Sequence, residues 1–128
     1  MLESGSAESP TIVVICPLQT PLLREVLAGI EEEGVPYSAT VLSVVESPLP
    51  DAVTLAHRAA QRSSLDVGVG IDASGYICVH HTKRAEADPI ELSNANVEAG
   101  DARRFGHNAA RVVVGVPLDL VSTNQSVG

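Results

Sequence analysis

Residues 11–36 read TIVVICPLQTPLLREVLAGIEEEGVP, and they contain a strand, a helix and signals at both ends of that helix. The run 11–16 is apolar and rich in β-branched residues, which is typical of a strand buried on both faces of a helix-covered parallel sheet. Thr20 and Pro21 predict the helix start, because threonine caps free N–H groups and proline has none to lose there. Gly34 predicts a left-handed stop. The apolar spacing predicts an inward stripe of Leu23, Val26, Leu27 and Ile30.

The next segments repeat this order of strand and helix. Residues 37–45 predict a second strand, 47–50 a loop, and about 51–62 a second helix. An acid at the front of this helix and arginines at its back suit the helix macrodipole. Its spacing predicts a buried face of mostly small residues: Ala52, Leu55, Ala56, Ala59 and Ala60.

A hairpin and a last helix complete the chain. Residues 65–71 alternate between apolar and polar faces and predict a third strand, 72–75 a turn, and 76–81 a fourth strand that pairs with the third. A short edge strand is expected at 90–92, followed by a helix over about 98–113. The inward face of that helix is predicted to hold Ala102, Phe105, Ala109, Val112 and Val113.

These elements predict one α/β domain over residues 11–121, with disordered tails at 1–10 and 122–128. We expect a three-layer-like arrangement around a mixed, mainly parallel sheet. The chain would start as βαβαβ with right-handed crossovers and continue with the hairpin and the C-terminal helix. A chain of 128 residues is long enough to bury one modest core.

Composition and charge exclude several classes of function. The net charge of −8 and the pI near 4.8 would repel nucleic acid and anionic membranes, since binding to them depends on Lys and Arg. No stretch approaches the roughly 20 apolar residues of a membrane span, and the polar N-terminus lacks the pattern of a signal peptide. We therefore expect a cytoplasmic protein.

The sequence carries no recognisable catalytic set. Gly68 and Gly70 lie inside a strand that enters a hairpin, whereas a dinucleotide-binding loop needs its glycines in a strand-to-helix turn. We interpret them as residues that permit the close approach of a neighbouring element. There is no P-loop and no Ser/His/Asp arrangement, so we expect no enzymatic activity and no cofactor bound by this chain alone.

Cysteine and histidine spacing favours structural roles. Cys16 and Cys78 lie in apolar runs and are expected to be buried free thiols. A zinc site needs about four convergent ligands. Cys78 and His80 share one face of a strand, but only Cys16 with His57 or His107 could complete a site, and the spacing matches no known zinc motif.

The run Glu31, Glu32 and Glu33 ends the first helix, where the macrodipole is negative. Each acid there is disfavoured by about 0.3–1 kcal/mol, and adjacent like charges add to this cost. One interpretation is a solvated acidic face. The other is that a cation or the basic surface of a partner relieves the repulsion, and a hard ion such as Mg²⁺ often takes only one or two carboxylates from one chain.

Three segments together resemble the small subunit of the diol/glycerol dehydratase-reactivating factor. They are LLREVLAGIEEEGVP at 22–36, AAQRSSLDVGVG at 59–70 and GHNAARVVVGVP at 106–117. The resemblance covers about residues 11–120, and it is carried by the three segments in order rather than by any one of them. It implies a fold similar to that of the medium subunit of the dehydratase.

The resemblance implies a chaperone-like role rather than catalysis. The reactivating factor pairs this subunit with a large, actin-like ATPase subunit that binds ATP and ADP, in a hetero-oligomer of two large and two small subunits. The small subunit would dock on the dehydratase large subunit in place of the medium subunit, so that damaged cobalamin leaves. The family's Glu-Glu-Glu-Gly motif implies a divalent ion, Mg²⁺ or Ca²⁺, at the interface, and its middle acid maps onto Glu32, between Glu31 and Glu33.

Two other functions stay open at the level of sequence. The chain could instead be a structural, medium-type subunit of a B12-dependent dehydratase, which would bind cobalamin. It could also be a stand-alone α/β module that binds a small ligand. The client, diol or glycerol dehydratase, is not specified by any of the three segments.

Overall fold

Three helices cover a five-stranded sheet in the part of the chain, residues 10–42 and 47–115, that the computed structural model describes. The strands are β1 (Ile12–Cys16), β2 (Tyr37–Val41), β3 (Val67–Ile71), β4 (Ile77–His81) and β5 (Glu91–Leu92), and the helices are α1 (Pro21–Glu32), α2 (Ala52–Arg62) and α3 (Ala99–Val114). Every predicted element is present. At most of the ends that the structure describes, the observed boundary differs from the predicted one by one or two residues. Residues 43–45 of the second predicted strand, the stretch 116–121 and nearly all of both predicted tails lie outside the described residues.

The sheet is mixed, as predicted. Its strand order is β2-β1-β3-β4-β5, with β1 parallel to both β2 and β3, and with β4 antiparallel to β3 and β5. Four strands therefore run in one direction and β4 alone is reversed. The order places β1 and β3 at the centre and leaves β2 at one edge.

The local signals at the ends of α1 act as the sequence predicts. The Thr20 side chain accepts a hydrogen bond from the Leu23 backbone N–H at 3.2 Å, and Pro21 occupies the first helical position. Gly34 has φ +80°, a left-handed conformation that suits glycine and turns the chain out of the helix. The helix direction and its end points therefore follow from local residues.

The two faces of the sheet carry different helices. Helices α1 and α3 cover one face. There, Phe105 of α3 and alternate side chains of β1, β3 and β4 belong to the larger core cluster. Helix α2 packs on the opposite face against Val13, Ile15 and Cys78. The predicted inward faces are confirmed, except that Leu27, Val112 and Val113 are only partly buried. The result is a three-layer α/β/α arrangement.

Glycines in β3 set the distance between α2 and the sheet. A Cβ at Gly68 would overlap the Ala60 backbone nitrogen, and one at Gly70 would overlap the Ala52 carbonyl oxygen. The interpretation of these glycines as sites of close approach is confirmed, and the neighbouring element is α2.

Both cysteines are free and buried, as expected. Burial raises the pKa of the Cys16 thiol. Burial, helped by the charges of Asp51 and Glu91, raises the pKa of Cys78 to about 12. Both thiols are therefore protonated at neutral pH and poorly nucleophilic.

Among the described residues, no helix is long and apolar enough to cross a membrane.

Candidate functional site: the acidic end of the first helix

The acidic run lies where α1 ends and where α3 passes beside it. Glu31 and Glu32 form the last residues of α1, and Glu33 is its C-cap. No base occurs in the last turn of α1 itself. Any positive charge that balances these acids must therefore come from another element or another molecule.

Helix α3 supplies that charge. Arg103, His107 and Arg111 follow one another at intervals of four residues, so they form one stripe along the face of α3 that meets α1. Arg103 Nη1 donates to Glu32 Oε2 at 3.1 Å, and Arg103 Nη2 lies 3.0 Å from Glu25 Oε1.

The other two bases of the stripe reach the helix end. His107 Nε2 lies 2.9 Å from Glu32 Oε1 and His107 Nδ1 lies 2.6 Å from Glu33 Oε2, while Arg111 Nε donates to Glu33 Oε2 at 3.3 Å. An oxygen acceptor stands at each ring nitrogen of His107, and both contacts are hydrogen bonds only when both nitrogens carry protons. We call these three acids and three bases the ion-pair row: Glu25, Glu32, Glu33, Arg103, His107 and Arg111.

The row changes the acidity of one member. The hydrogen bond from His107, with added attraction from the Arg111 guanidinium, holds the pKa of the Glu33 carboxyl below its ordinary value, although partial burial opposes this. Favourable contacts to the ionised form are the usual reason for such a shift. Glu33 therefore stays charged at neutral and mildly acidic pH.

Close packing of the two helix backbones makes these contacts short. A Cβ at Gly29 of α1 would overlap the Arg103 carbonyl oxygen, and one at Gly106 of α3 would overlap the Val26 carbonyl oxygen. Only glycine allows this approach, because any side chain would force the helices apart. The two glycines therefore position the row, and sequence reasoning did not assign them that role.

The acids of the run have different surroundings. Sequence reasoning expected either solvated acids or relief by an external cation or partner, and for Glu32 and Glu33 the structure shows relief from within the chain. Glu31 is exposed and has no ion-pair partner among the described residues. The signal for the internal pairing was the Arg103, His107, Arg111 spacing, which was present in the sequence.

The metal role of Glu32 stays a prediction, and its surroundings fit it in part. Its side chain is 46% exposed. An ionised carboxylate has about four lone-pair positions, so it can accept from two bases and still offer one ligand atom. Within residues 10–42 and 47–115, no three His, Cys, Asp or Glu side chains group closely enough to hold a metal. Most ligands of any ion at Glu32 would therefore come from a partner and from water.

The residues considered for zinc are divided between three places, since Cys16 lies in the larger core cluster on the α1 and α3 face of the sheet. His107 belongs to the ion-pair row, while Cys78 and His80 face α2. The buried His80 ring lies 5.0 Å from the His57 ring, centroid to centroid. His80 Nε2 lies 2.9 Å from the Glu86 carbonyl oxygen, and Nδ1 accepts from the His81 backbone N–H at 3.0 Å. Both nitrogens of His80 thus bond to the backbone and fasten the loop after β4.

A groove on the other flank of α1 was not expected from the sequence. It has a volume of about 810 Å³ and lies between α1 and the edge strand β2. Its floor is formed by Tyr37, Ala39 and Val41, and its wall includes Arg24 and Glu31. All five residues of β2 are exposed or only partly buried. Within the described part of the chain, the groove is therefore open to solvent and to other molecules.

Comparison with known proteins points to one family. A family model described as dehydratase medium subunit matches residues 9–119. The propanediol dehydratase-reactivating factor small subunit of Salmonella typhimurium is 30% identical over 117 residues, which are 91% of this chain and 96% of that protein. The diol dehydratase-reactivating factor small subunit of Klebsiella michiganensis is 35% identical over 116 residues, 90% of this chain and 88% of that protein.

Solved structures agree with this assignment. A glycerol dehydratase reactivase superposes with a TM-score of 0.78 at 27% identity, covering 88% of this chain and 98% of that one. A diol dehydratase-reactivating factor complexed with ADP and Mg²⁺ superposes with a TM-score of 0.74 at 32% identity, covering 88% of this chain and 99% of that one. Both similarities span nearly the whole of the compared chains.

Proposed function

The chain belongs to the dehydratase medium-subunit family and, within it, to the small subunits of diol and glycerol dehydratase-reactivating factors, and from this premise we propose how it acts. It is an accessory subunit without catalysis of its own, and it docks on a B12-dependent diol or glycerol dehydratase in place of the medium subunit. Damaged cobalamin is then released. The observation that carries this proposal is one fold that matches both a medium-subunit family and reactivating small subunits over nearly their whole length.

The shared fold explains why competition would work. Two proteins with the same arrangement of helices and strands can present the same surface to one partner, so one can displace the other by mass action. The exposed side of such a subunit, rather than an internal pocket, carries its function. The ion-pair row supports this, because it stiffens the end of α1 while leaving Glu32 half exposed.

ATP hydrolysis is assigned to a large partner subunit. The complex of a related factor with ADP and Mg²⁺ supports the presence of a nucleotide site in the assembly. In this chain the glycines of β3 are used for packing against α2, so they do not form a phosphate loop. We expect two large and two small subunits in the hetero-oligomer, in the cytoplasm or a bacterial microcompartment.

Glu32 is the proposed contact between this subunit and a divalent ion held mainly by the large subunit. Its carboxylate is the oxygen ligand that Mg²⁺ and Ca²⁺ prefer. Arg103 and His107 orient the side chain through contacts of 3.1 and 2.9 Å, and its exposed face is accessible to a cation. The ion would supply charge neutralisation at the interface, and this chain would supply one ligand.

A pull-down of the large subunit by the full chain, with Mg²⁺ and with a chelator, tests the proposal. We expect a complex that Mg²⁺ strengthens. Glu32→Gln should abolish the strengthening by Mg²⁺ while keeping a hydrogen-bonding side chain beside Arg103. The control is Glu98→Gln, an exposed acid at the N-terminus of α3 whose side chain makes no capping hydrogen bond.

The outcomes separate a metal ligand from a structural residue. If Glu32→Gln lowers the unfolding free energy but leaves the Mg²⁺ effect intact, Glu32 serves the fold and the metal proposal fails. If the wild-type chain captures no large subunit under either condition, the accessory role itself fails.

The second candidate is a structural subunit of a dehydratase, which the description of the matching family as medium subunit favours. Such a subunit would help to hold the corrin. Titrating the full chain with cobalamin and recording the visible spectrum distinguishes the two functions. A firm one-to-one complex would favour the dehydratase subunit, whereas no spectral change is expected for a reactivating subunit.

A further inference from the structure

We propose that the open groove beside α1 is a self-association surface, on which β2 of a second copy of this chain pairs antiparallel with β2 of the first. The groove lies on the β2 side of α1, whereas the ion-pair row lies on the α3 side, and of the row only Glu25 also lines the groove. The proposal does not depend on the proposed function. It concerns the isolated chain and is measured without any partner subunit.

The first observation is the unpaired edge of β2. Among the described strands, β2 pairs only with β1, and it ends the sheet. The Pro36 carbonyl accepts from Ile12 N–H at 3.0 Å and the Leu42 N–H donates to the Cys16 carbonyl at 2.9 Å, so the even-numbered residues of this strand face β1. The backbone groups of Tyr37, Ala39 and Val41 therefore point to the open edge.

This pattern is complementary to itself. In an antiparallel pair centred on Ala39, the outward N–H and C=O groups of Ala39 bond to those of Ala39 in the second copy. Tyr37 of each copy likewise bonds to Val41 of the other. Each of these is a hydrogen-bonded pair in which two residues exchange both bonds. An aromatic residue opposite a β-branched one is also a favourable cross-strand pair. A two-fold axis satisfies all three outward residues at once.

The second observation is the lack of protection at this edge. Natural proteins commonly guard an edge strand with charged side chains, proline or a bulge. The strand Tyr37–Val41 reads YSATV and contains none of these, and Tyr37 remains 37% exposed. An unguarded edge of five residues is suited to pairing with another strand.

The third observation is charge complementarity along α1. Arg24, Leu27, Ala28 and Glu31 line the groove at spacings of three, four and seven residues, so they form one stripe on the helix. The charged ends of the stripe, Arg24 and Glu31, are exposed and have no ion-pair partner among the residues that the structure describes.

The two-fold axis brings these charges together. Arg24 is near the start of α1 and Glu31 near its end, and antiparallel β2 strands make the two α1 helices run in opposite directions. Arg24 of each copy then faces Glu31 of the other across a shared valley. This contact relieves the repulsion between Glu31 and the dipole of its helix, as α3 does for Glu32 and Glu33. One two-fold axis thus satisfies both the backbone edge and the unpaired charges.

Sedimentation velocity of the full chain, across a range of micromolar concentrations, tests the proposal. We expect a monomer–dimer equilibrium. Arg24→Glu and Glu31→Arg should each weaken the dimer about tenfold, because each reversal places like charges at both symmetric contacts. The double variant Arg24→Glu/Glu31→Arg should restore wild-type affinity, since it recreates the same pairs in reverse.

A backbone variant tests the strand pairing separately. Ala39→Pro removes an N–H that points to the open edge and leaves the bonds to β1 in place, so it should give a folded monomer by circular dichroism and sedimentation. If Ala39→Pro does not fold, the charge-reversal variants alone test the proposal, because Arg24 and Glu31 are both exposed.

Three results would overturn the proposal. They are a wild-type chain that stays monomeric throughout, a dimer that ignores both charge reversals, and a double variant that fails to recover. A failed capture of the large subunit leaves all of these measurements unaffected, so the two proposals fail independently.

Discussion

The two long flanks of α1 both carry charged side chains, but those side chains have different surroundings. On the inner flank, Glu32 and Glu33 meet the bases of α3 and Gly29 lies against the α3 backbone. On the outer flank, Arg24 and Glu31 line an open groove and have no ion-pair partner in the described residues. One side of the helix is used up in building the fold, and the other is available for contact.

The difference shows that a helix-end acid does not by itself report a function. The cost of negative charge at the end of α1 applies to all three acids, yet the chain itself relieves it for two of them. For Glu31, which has no ion-pair partner among the described residues, the chain provides no such relief.

The largest effect is expected where the helices touch. Gly106→Ala places a Cβ on the Val26 carbonyl oxygen, so α1 and α3 must separate and the ion-pair row must lengthen. We expect a loss of about 3 kcal/mol in the free energy of unfolding, measured by urea denaturation. The control is Gly100→Ala in the first turn of the same helix, where nothing lies within 4 Å of the new Cβ.

Gly100→Ala should be neutral or stabilising by up to about 1 kcal/mol, because alanine is the better helix former. A Gly106→Ala protein stabilised as much as Gly100→Ala would show that helix propensity, and not the crossing, governs the effect. A Gly106→Ala protein as stable as wild type would mean that the flank tolerates separation and is not closely packed.

A smaller change in the free energy of unfolding is expected when a charged side chain is removed, and its size should differ between the two flanks. Arg103→Ala removes contacts to Glu25 and Glu32, which are part-exposed ion pairs, and should lower the free energy of unfolding by about 1 kcal/mol. Arg24→Ala removes a side chain with no ion-pair partner in the described chain and should change it by less than about 0.5 kcal/mol. Added salt should narrow the gap between the two variants. A larger loss from Arg24→Ala would remove the distinction between the flanks.

Local signals made most of the fold predictable. Thr20, Pro21 and Gly34 act within a few residues of the ends they mark, so their effect does not depend on the rest of the chain. The alternation in β3 and β4 likewise fixed the hairpin. The close approach at Gly68 and Gly70 was predictable because a strand interior gives glycine few other uses. The identity of the neighbour, α2, required the topology.

Long-range contacts were harder to predict. Glu33 and His107 are separated by 74 residues, and their pairing depends on α1 and α3 lying side by side on one face of the sheet. The groove depends on β2 being the edge strand, which strand order decides and periodicity does not. The polar residues in the strand sequence YSATV were the one signal in the sequence that this strand is exposed. The role of Glu32 toward a metal follows from family resemblance and stays a prediction.

The smallest effect is the acid dependence of the inner flank. Because the pKa of Glu33 is lower in the folded chain, its ionised form stabilises the fold at pH values above the ordinary carboxyl pKa, about 4.3. That stabilisation is lost as the pH falls through the lowered pKa. Glu33→Gln keeps the shape and removes the titration, so the stability difference from wild type should be constant above about pH 5 and shrink below it.

The matched reference for this titration is Glu31→Gln, which changes the neighbouring acid on the outer flank. The free energies of unfolding of wild type and both variants, measured in urea between neutral pH and about pH 3, give the comparison. Glu31 has no ion-pair partner within the described residues, so Glu31→Gln removes a carboxylate without removing such a contact. If the stability of both variants depended on pH in the same way, the ion pairs of Glu33 would not be the cause, because Glu31 and Glu33 would then respond alike. A difference confined to Glu33→Gln would instead show that α3 distinguishes between neighbouring acids of one helix end.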